Sequence, residues 1–230
     1  MRERTKVRGV VKNKKNQNQM KPKRIIIGID EVGRGALAGP VVASAVAIEH
    51  LIDGVKDSKL LNVKQREKLA GEIEKHALAL SIESLPPDTI DKLNIYNATL
   101  LAMKNALFMT LEDLKPKPEN EIFVFIDGDA IFQITPEERI NLPTTRLHLI
   151  ALPRADKFIY QVSCASIYAK HNRDVLMMTI FDAKYPVYNF KRNLGYPTPE
   201  HIRAIKDNGP CEIHRRTFLK NFDEMLKLPL

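Results

Sequence analysis

Apolar residues along this chain gather into short β-branched runs and into longer stretches of helical period, and the two kinds alternate. The run Arg24-Ile25-Ile26-Ile27-Gly28-Ile29-Asp30 is short, branched and apolar, which predicts a buried strand ending at an acidic pair. A second strand is expected over Pro40–Glu49, whose residues are small and β-branched. Val63–His76 has the helical period, with Asn62 placed to cap it. Ala77–Ser84 alternates like a strand and is punctuated by Pro86-Pro87. Asn94–Leu114 spaces Leu100, Leu101, Met103, Leu107, Phe108 and Leu111 as a helix does, so its methionines and phenylalanines read as core. Glu121–Ile126 and Thr144–Leu152 read as two further strands, Phe158–Phe181 as a long helix, and the remainder as helices joined by basic and aromatic loops.

The resulting order, β-β-α-β-α-α-β-β-α-α, opens with two adjacent strands and alternates later. It predicts an α/β fold with a mixed sheet flanked by helices and excludes a pure Rossmann order. A length of 230 residues suits one sizeable domain or a domain with an appendage, large enough to fold on its own core. No internal repeat is visible.

Charge changes this picture in one place. The formal net charge is +8, yet residues 1–24 hold ten Lys or Arg against one acid. The rest of the chain is roughly neutral. Its globular part must therefore recognise a ligand through specific groups, while residues 1–23 form a basic leader, expected to be disordered, that adds non-specific phosphate attraction or merely solubility. The leader has no apolar core and makes a poor secretory signal. No run of eighteen apolar residues exists, so no membrane span is expected. The two cysteines, Cys164 and Cys211, give neither a disulfide framework nor zinc spacing, and read as reduced thiols of a cytoplasmic protein.

The chemical signal lies in the acids. Asp30 and Glu31 close the first strand, Asp127 closes the central one, and Asp156 follows the last. Ligands of α/β sheets collect at strand ends, so these carboxylates could converge. Strand-terminal aspartates also form turns and caps, which is the simpler account of any one of them. Four together without cations would be costly, and a cluster of hard oxygens calls for Mg²⁺ or Mn²⁺. Two such ions could activate a water and stabilise the leaving oxygen of a phosphoryl displacement. Asp129 and Asp174 are weaker candidates, the latter better placed for a helix salt bridge or for a contact that supports a site residue. Ser163 and Ser166 flank Cys164 without a readable triad, which disfavours nucleophilic catalysis. No phosphate loop opens a helix, against phosphotransfer to a small molecule.

From Ile29-Asp30-Glu31-Val32-Gly33-Arg34-Gly35 through Ala36-Leu37-Ala38-Gly39-Pro40-Val41-Val42, the sequence resembles the type 2 ribonucleases H, the ribonuclease HII family. Further blocks agree in order: Asp57-Ser58-Lys59-Leu60, Phe125-Ile126-Asp127-Gly128, Asp156 ten residues before Ser166-Ile167-Tyr168-Ala169-Lys170, Asn193-Leu194-Gly195-Tyr196-Pro197-Thr198, and Ile213-His214-Arg215-Arg216-Thr217-Phe218. The resemblance spans roughly Arg24 to Phe218. It implies a ribonuclease H-like core, residues 24–181, with a mixed five-stranded sheet, and a small helical substrate-binding extension over 182–230. Asp30, Glu31, Asp127 and Asp156 would be catalytic and would hold Mg²⁺ or Mn²⁺, as two ions when substrate is bound. Gly33, Arg34 and Gly35 would sense a ribonucleotide 2′-hydroxyl, because glycines allow close backbone approach and that hydroxyl distinguishes RNA from DNA. Tyr196 would stack on the following deoxyribose, with Ser58, Lys59, Ser166 and Lys170 as phosphate or supporting groups. The implied substrates are RNA–DNA hybrids and duplex DNA carrying single ribonucleotides, cut 5′ of the ribonucleotide by a monomer.

Two departures from the family pattern stand out. Ala155-Asp156-Lys157-Phe158 replaces the usual Gly-Asp-Ala-Lys, and Asp127-Gly128-Asp129 replaces Asp-Gly-Asn, adding charge beside the site. Competing readings remain: a ribonuclease HIII-type enzyme, against which Arg34 and the short leader speak, or a non-catalytic nucleic-acid-binding module. Without the resemblance, Gly33-Arg34-Gly35 is a tight turn, Tyr196 a packed surface aromatic, and His214 either a substrate contact or a packing group.

Overall fold

The computed structural model describes residues 23–55, 61–143 and 146–220. The expected leader lies outside them apart from Lys23, as do Asp57, Ser58, Lys59, Leu60 and the last ten residues. Five strands form one sheet: β1 (Arg24–Val32), β2 (Val41–Ala47), β3 (Ala79–Leu85), β4 (Glu121–Asp127) and β5 (Leu147–Leu152), in the order β3-β2-β1-β4-β5. β1 to β3 pair antiparallel, whereas β1, β4 and β5 run parallel. The mixed sheet is thus as the pattern predicts.

Both faces are covered. Side chains alternate across a strand, and β2 shows the division: Ala43, Ala45 and Ala47 join one core with Met103, Leu107 and Leu111, while Val46 joins another with Leu69, Ile73 and Ile167. The first core lies under α3 (Ile95–Leu114), the second under α1 (Val63–His76) and α5 (Tyr160–Leu176). Helix α1 keeps the predicted bounds. Asn62 accepts from the Gln65 amide and the Gln65 side chain returns to the Asn62 amide, a complete capping box. Asn94 likewise caps α3 through the Asn97 amide. Two short helices, α2 (Pro87–Leu93) and α4 (Pro136–Ile140), each begin on a proline, as a first turn favours.

The long helix differs from the expectation at its start. Arg154 takes a left-handed conformation (φ 61°), Ala155–Lys157 form a 3₁₀ turn, and α5 begins only at Tyr160. Its far end runs through a π turn at Met177–Phe181. At the other end α5 comes very close to β1. A Cβ on Gly28 would lie 2.1 Å from the Gln161 carbonyl carbon, so only glycine fits there. Small residues along this helix (Ser163, Cys164, Ala165, Ser166, Ala169) are all buried and allow the approach.

Beyond residue 185 the chain makes short turns and the helix Pro199–Asn208. Tyr188, Phe190, Ile202, Ile205 and Ile213 form a third core with Leu37, Ala38 and Met177. Residues 188–213 are therefore packed onto the β1–β2 connection. No helix among the described residues is long and apolar enough to cross a membrane.

Candidate active site

The parallel strands carry the acids to one edge. Ile29 pairs with Ile126, so Asp30 and Asp127 follow at the same level of neighbouring strands, and Asp127 in turn pairs with Leu152 of β5. The chain then turns through Gly128 (φ +106°) on one side and the Ala155–Lys157 turn on the other. Asp30, Glu31, Asp127 and Asp156 come together in one cleft of about 390 Å³, with Gly33, Arg34, Ser166, Lys170 and Tyr196 in its wall. Nine of the twelve candidate residues therefore surround one space. Gly35 is the next residue of the same turn and is exposed. Ser58 and Lys59 lie outside the described residues.

The carboxylates are costly as they stand. Asp30 is 6% exposed, and its pKa is raised well above the ordinary value, first by burial and then by the charge of Glu31, with Asp127 adding to it. Hydrogen bonds from the Ser166 side chain and from the Glu31 amide (2.8 Å) oppose that rise. Glu31 is also raised, by burial above all, although the Arg34 guanidinium 3.2 Å away pulls the other way. Glu31 Oε2 and Asp127 Oδ1 are buried with no hydrogen-bond partner. Two orphaned carboxylate oxygens facing a cleft of acids are what a hard cation would satisfy. Among the described residues no three acid, imidazole or thiol groups form a ready-made metal cage. The donor set suits an ion that keeps water and takes further oxygens from a phosphate.

Helix α5 supplies the opposite wall. Ser166, Lys170 and Arg173 follow at steps of four and three, so they share a face. Lys170 is held by both oxygens of Asp174 (3.2 and 3.0 Å), which also accepts from Arg66 at 3.0 Å. The sequence reading of Asp174 as a helix salt bridge fits this. Ser163, by contrast, turns its hydroxyl to the Asp156 carbonyl at 2.6 Å and fixes the turn that presents that acid. Cys164 is buried inert, its thiol pushed up to about 12 by burial. Asp129 is exposed and lines a smaller neighbouring pocket that shares Glu31, Arg34 and Asp127 with the cleft.

Tyr196 stands at the far lip with the Arg173 guanidinium over its ring, 5.2 Å from the centroid. Its carbonyl accepts from the Thr198 amide and lies 2.9 Å from His201 Nδ1. His214 is 1% exposed and touches His201 and Cys211, so of its two sequence readings the packing role is the one the geometry supports. No two histidines sit at ligand spacing in the sequence, yet these two meet in space.

Sequence reasoning missed two residues. Arg173 and Arg215 are fully buried; Arg215 donates to three backbone carbonyls of the Gly33–Pro40 segment, and Arg173 to two of that segment and to Leu194 O. The helical step from Lys170 could have flagged Arg173. Arg215 sits in a quoted motif, but nothing local in the sequence says which carbonyls it would meet.

Known proteins resemble this chain over most of its length. A family model described as ribonuclease HII matches residues 27–221. A ribonuclease HII of Caldicellulosiruptor saccharolyticus is 47% identical over 200 residues, covering 86% of this chain and 88% of the relative. Among solved structures, the complex of PCNA and ribonuclease HII from Archaeoglobus fulgidus contains a similar chain, with TM-score 0.66, 26% identity, and coverage of 89% of this chain and 98% of that one. The ribonuclease H2 of Pyrococcus horikoshii is similar at TM-score 0.64 and 27% identity, covering 89% and 100%. With its mixed sheet, its acids at the parallel strand ends and these relatives across most of its length, the chain belongs to the ribonuclease HII family, hydrolases of the ribonuclease H type that act on RNA paired with DNA.

Proposed function

We propose that this enzyme cuts the RNA strand of RNA–DNA hybrids and also nicks duplex DNA on the 5′ side of a single embedded ribonucleotide, leaving 5′-phosphate and 3′-hydroxyl ends. The observation that carries this reading is the meeting, in one cleft, of four carboxylates, two of them with buried and unpartnered oxygens, and the Gly33-Arg34 turn. Asp30, Glu31, Asp127 and Asp156 would hold Mg²⁺ or Mn²⁺, as two ions once the scissile phosphate adds its oxygens. Bound there, the cations would lower the pKa of a water and offset charge on the departing oxygen.

The protein's own groups do the positioning. Ser166 and the Glu31 amide fix the Asp30 carboxylate, and Arg34 fixes one oxygen of Glu31. Lys170, oriented by Asp174, offers a cation to the phosphate backbone. The Gly33–Gly35 turn approaches the sugar closely enough to recognise a 2′-hydroxyl. Tyr196, backed by Arg173, offers an aromatic face to the sugar on the 3′ side and so favours an RNA-to-DNA junction.

The test is a labelled DNA duplex carrying one ribonucleotide, incubated with Mg²⁺ or Mn²⁺, beside an all-DNA duplex, EDTA and Asp127→Asn controls. A nick 5′ of the ribonucleotide that every control loses is expected. Cleavage of long hybrids without that nick would remove the junction reading. Binding without cleavage of either substrate would make the chain a non-catalytic module.

A further inference from the structure

Among the described residues, Arg173 and Arg215 are the largest side chains with no exposure. Neither forms a carboxylate salt bridge there. Arg173 donates from Nε to Pro40 O (3.0 Å), from Nη1 to Leu194 O (3.0 Å) and from Nη2 to Ala38 O (3.2 Å). Arg215 donates from Nε to Gly39 O (3.0 Å), from Nη1 to Arg34 O (2.9 Å) and from Nη2 to Gly33 O (2.7 Å). Burying two cations without a direct ion pair is expensive, even with Asp174 near Arg173 and Asp91 near Arg215 to favour their charged forms. Burial depresses both guanidiniums, and Arg173 further lowers Arg215, to about 9. Packing alone does not explain such a choice, since an apolar residue would fill the space at less cost.

The direction of the carbonyls does explain it. In a trans peptide the C=O and the following N–H point opposite ways, and the described chain has no cis bond. Turning Gly33 O and Arg34 O inward onto Arg215 therefore turns the Arg34 and Gly35 amides outward. Neither amide donates to any group among the described residues, whereas Ala36, Leu37, Ala38 and Gly39 all do. Arg173 fixes the other side of the same frame. It fills the space where a Gly33 Cβ would stand, 2.3 Å from its Nε, and it ties the Tyr196 loop through Leu194 O. Only a planar fork with several donors reaches three carbonyls at once, which lysine does not offer.

We infer that Arg215 is a positioning residue for ribonucleotide recognition: it holds two adjacent backbone amides, of Arg34 and Gly35, open toward an oxygen acceptor of the ribose or its phosphate, while Arg173 locks that turn to the Tyr196 loop. This rests on the reading of the Gly33–Gly35 turn given above.

The experiment measures binding in Ca²⁺ and cleavage in Mg²⁺, on matched duplexes with and without one ribonucleotide. It compares wild type, Arg215→Ala, Arg215→Lys and Asp91→Ala. Asp91 anchors the same C-terminal segment from α2, accepting from the Arg216 and Thr217 amides at 2.7 and 2.9 Å without touching the turn. Arg215→Ala is expected to lose the binding preference for the ribonucleotide duplex and about 100-fold in kcat/KM, mostly through KM, while all-DNA binding stays the same. Low concentrations of guanidinium ion should restore at least about 10-fold of that loss in Arg215→Ala and none in Asp91→Ala.

Asp91→Ala, measured where it is folded, should keep the preference. Arg215→Lys keeps charge and most of the volume, so it covers the case in which the alanine variant does not fold, and it should share the loss of preference. Full preference in Arg215→Lys, an equal loss in Asp91→Ala, or guanidinium that restores the melting temperature without restoring preference would each overturn the inference. If wild type itself shows no ribonucleotide preference, the underlying reading of the turn fails instead.

Discussion

His201 and His214 meet nitrogen to nitrogen, Nε2 to Nε2 at 3.1 Å, beneath the Tyr196 loop. Their partners fix the protons. The Tyr196 carbonyl needs a hydrogen from His201 Nδ1, and the Cys211 amide donates to His214 Nδ1, so the shared hydrogen sits on His214 Nε2. Both rings must be neutral. Burial, then the nearby His201, lowers His214 to about 4, and burial lowers His201 as well.

An unfolded histidine takes up its proton near 6.5, so between about 6.5 and 4 the unfolded chain binds more protons and stability falls as pH drops. His214 should contribute a loss of about 3 kcal/mol across that window. Urea unfolding of wild type and His214→Gln between pH 7 and 4.5 checks it. A wild-type curve as flat as that of the glutamine variant would mean the pair does not titrate as a buried unit.

Asp30 works in the opposite sense. Its folded pKa lies above its unfolded one, so its ionised form opposes folding once pH rises past the unfolded value. Asp30→Asn should therefore melt higher than wild type at neutral pH without divalent cations, while cleavage drops about 10³-fold or more. Added Mn²⁺ should raise the melting temperature of wild type much more than that of the variant. Equal cation-induced shifts would place the ions elsewhere.

Gly28 lets helix α5 lie against β1, and no rotamer of any larger residue relieves the contact with the Gln161 backbone. Gly28→Ala should cost about 3 kcal/mol or more and reduce cleavage, since α5 carries Ser166 and Lys170 away as it shifts. Gly35→Ala, which meets nothing within 4 Å, is the matched control for stability. Denaturant melts of the two variants should differ by most of that amount.

Asp174 is buried and shared by Lys170 and Arg66. Asp174→Asn leaves two cations facing an uncharged amide and should destabilise the fold by about 3 kcal/mol, as loss of one partner of a buried pair does. If Lys170 serves the substrate backbone, KM should also rise while the cut position stays fixed. A normal KM in the folded variant would confine Asp174 to stability.

Much of the fold can be read in the sequence because its signals are local. Asn62 caps the helix that follows it, and the small, β-branched run through Val41–Ala47 marks a strand wherever that strand lies. Periodicity does not locate the true start of α5. The 3₁₀ turn at Ala155–Lys157 depends on the left-handed Arg154 and on a distant-looking hydroxyl, Ser163, that reaches back to Asp156 O.

By itself the sequence determined the strand-terminal acids, the glycine-arginine-glycine turn and their order along the chain, since each is a property of neighbouring residues. Only the tertiary structure decided which groups act together. Asp30 stands level with Asp127 because β1 and β4 run parallel in register, across almost a hundred residues of chain. Arg215 reaches Gly33 O from 182 positions away, and His201 finds His214 across a turn. Such contacts follow from how packed layers close on each other, which a local pattern of polar and apolar residues constrains but does not specify.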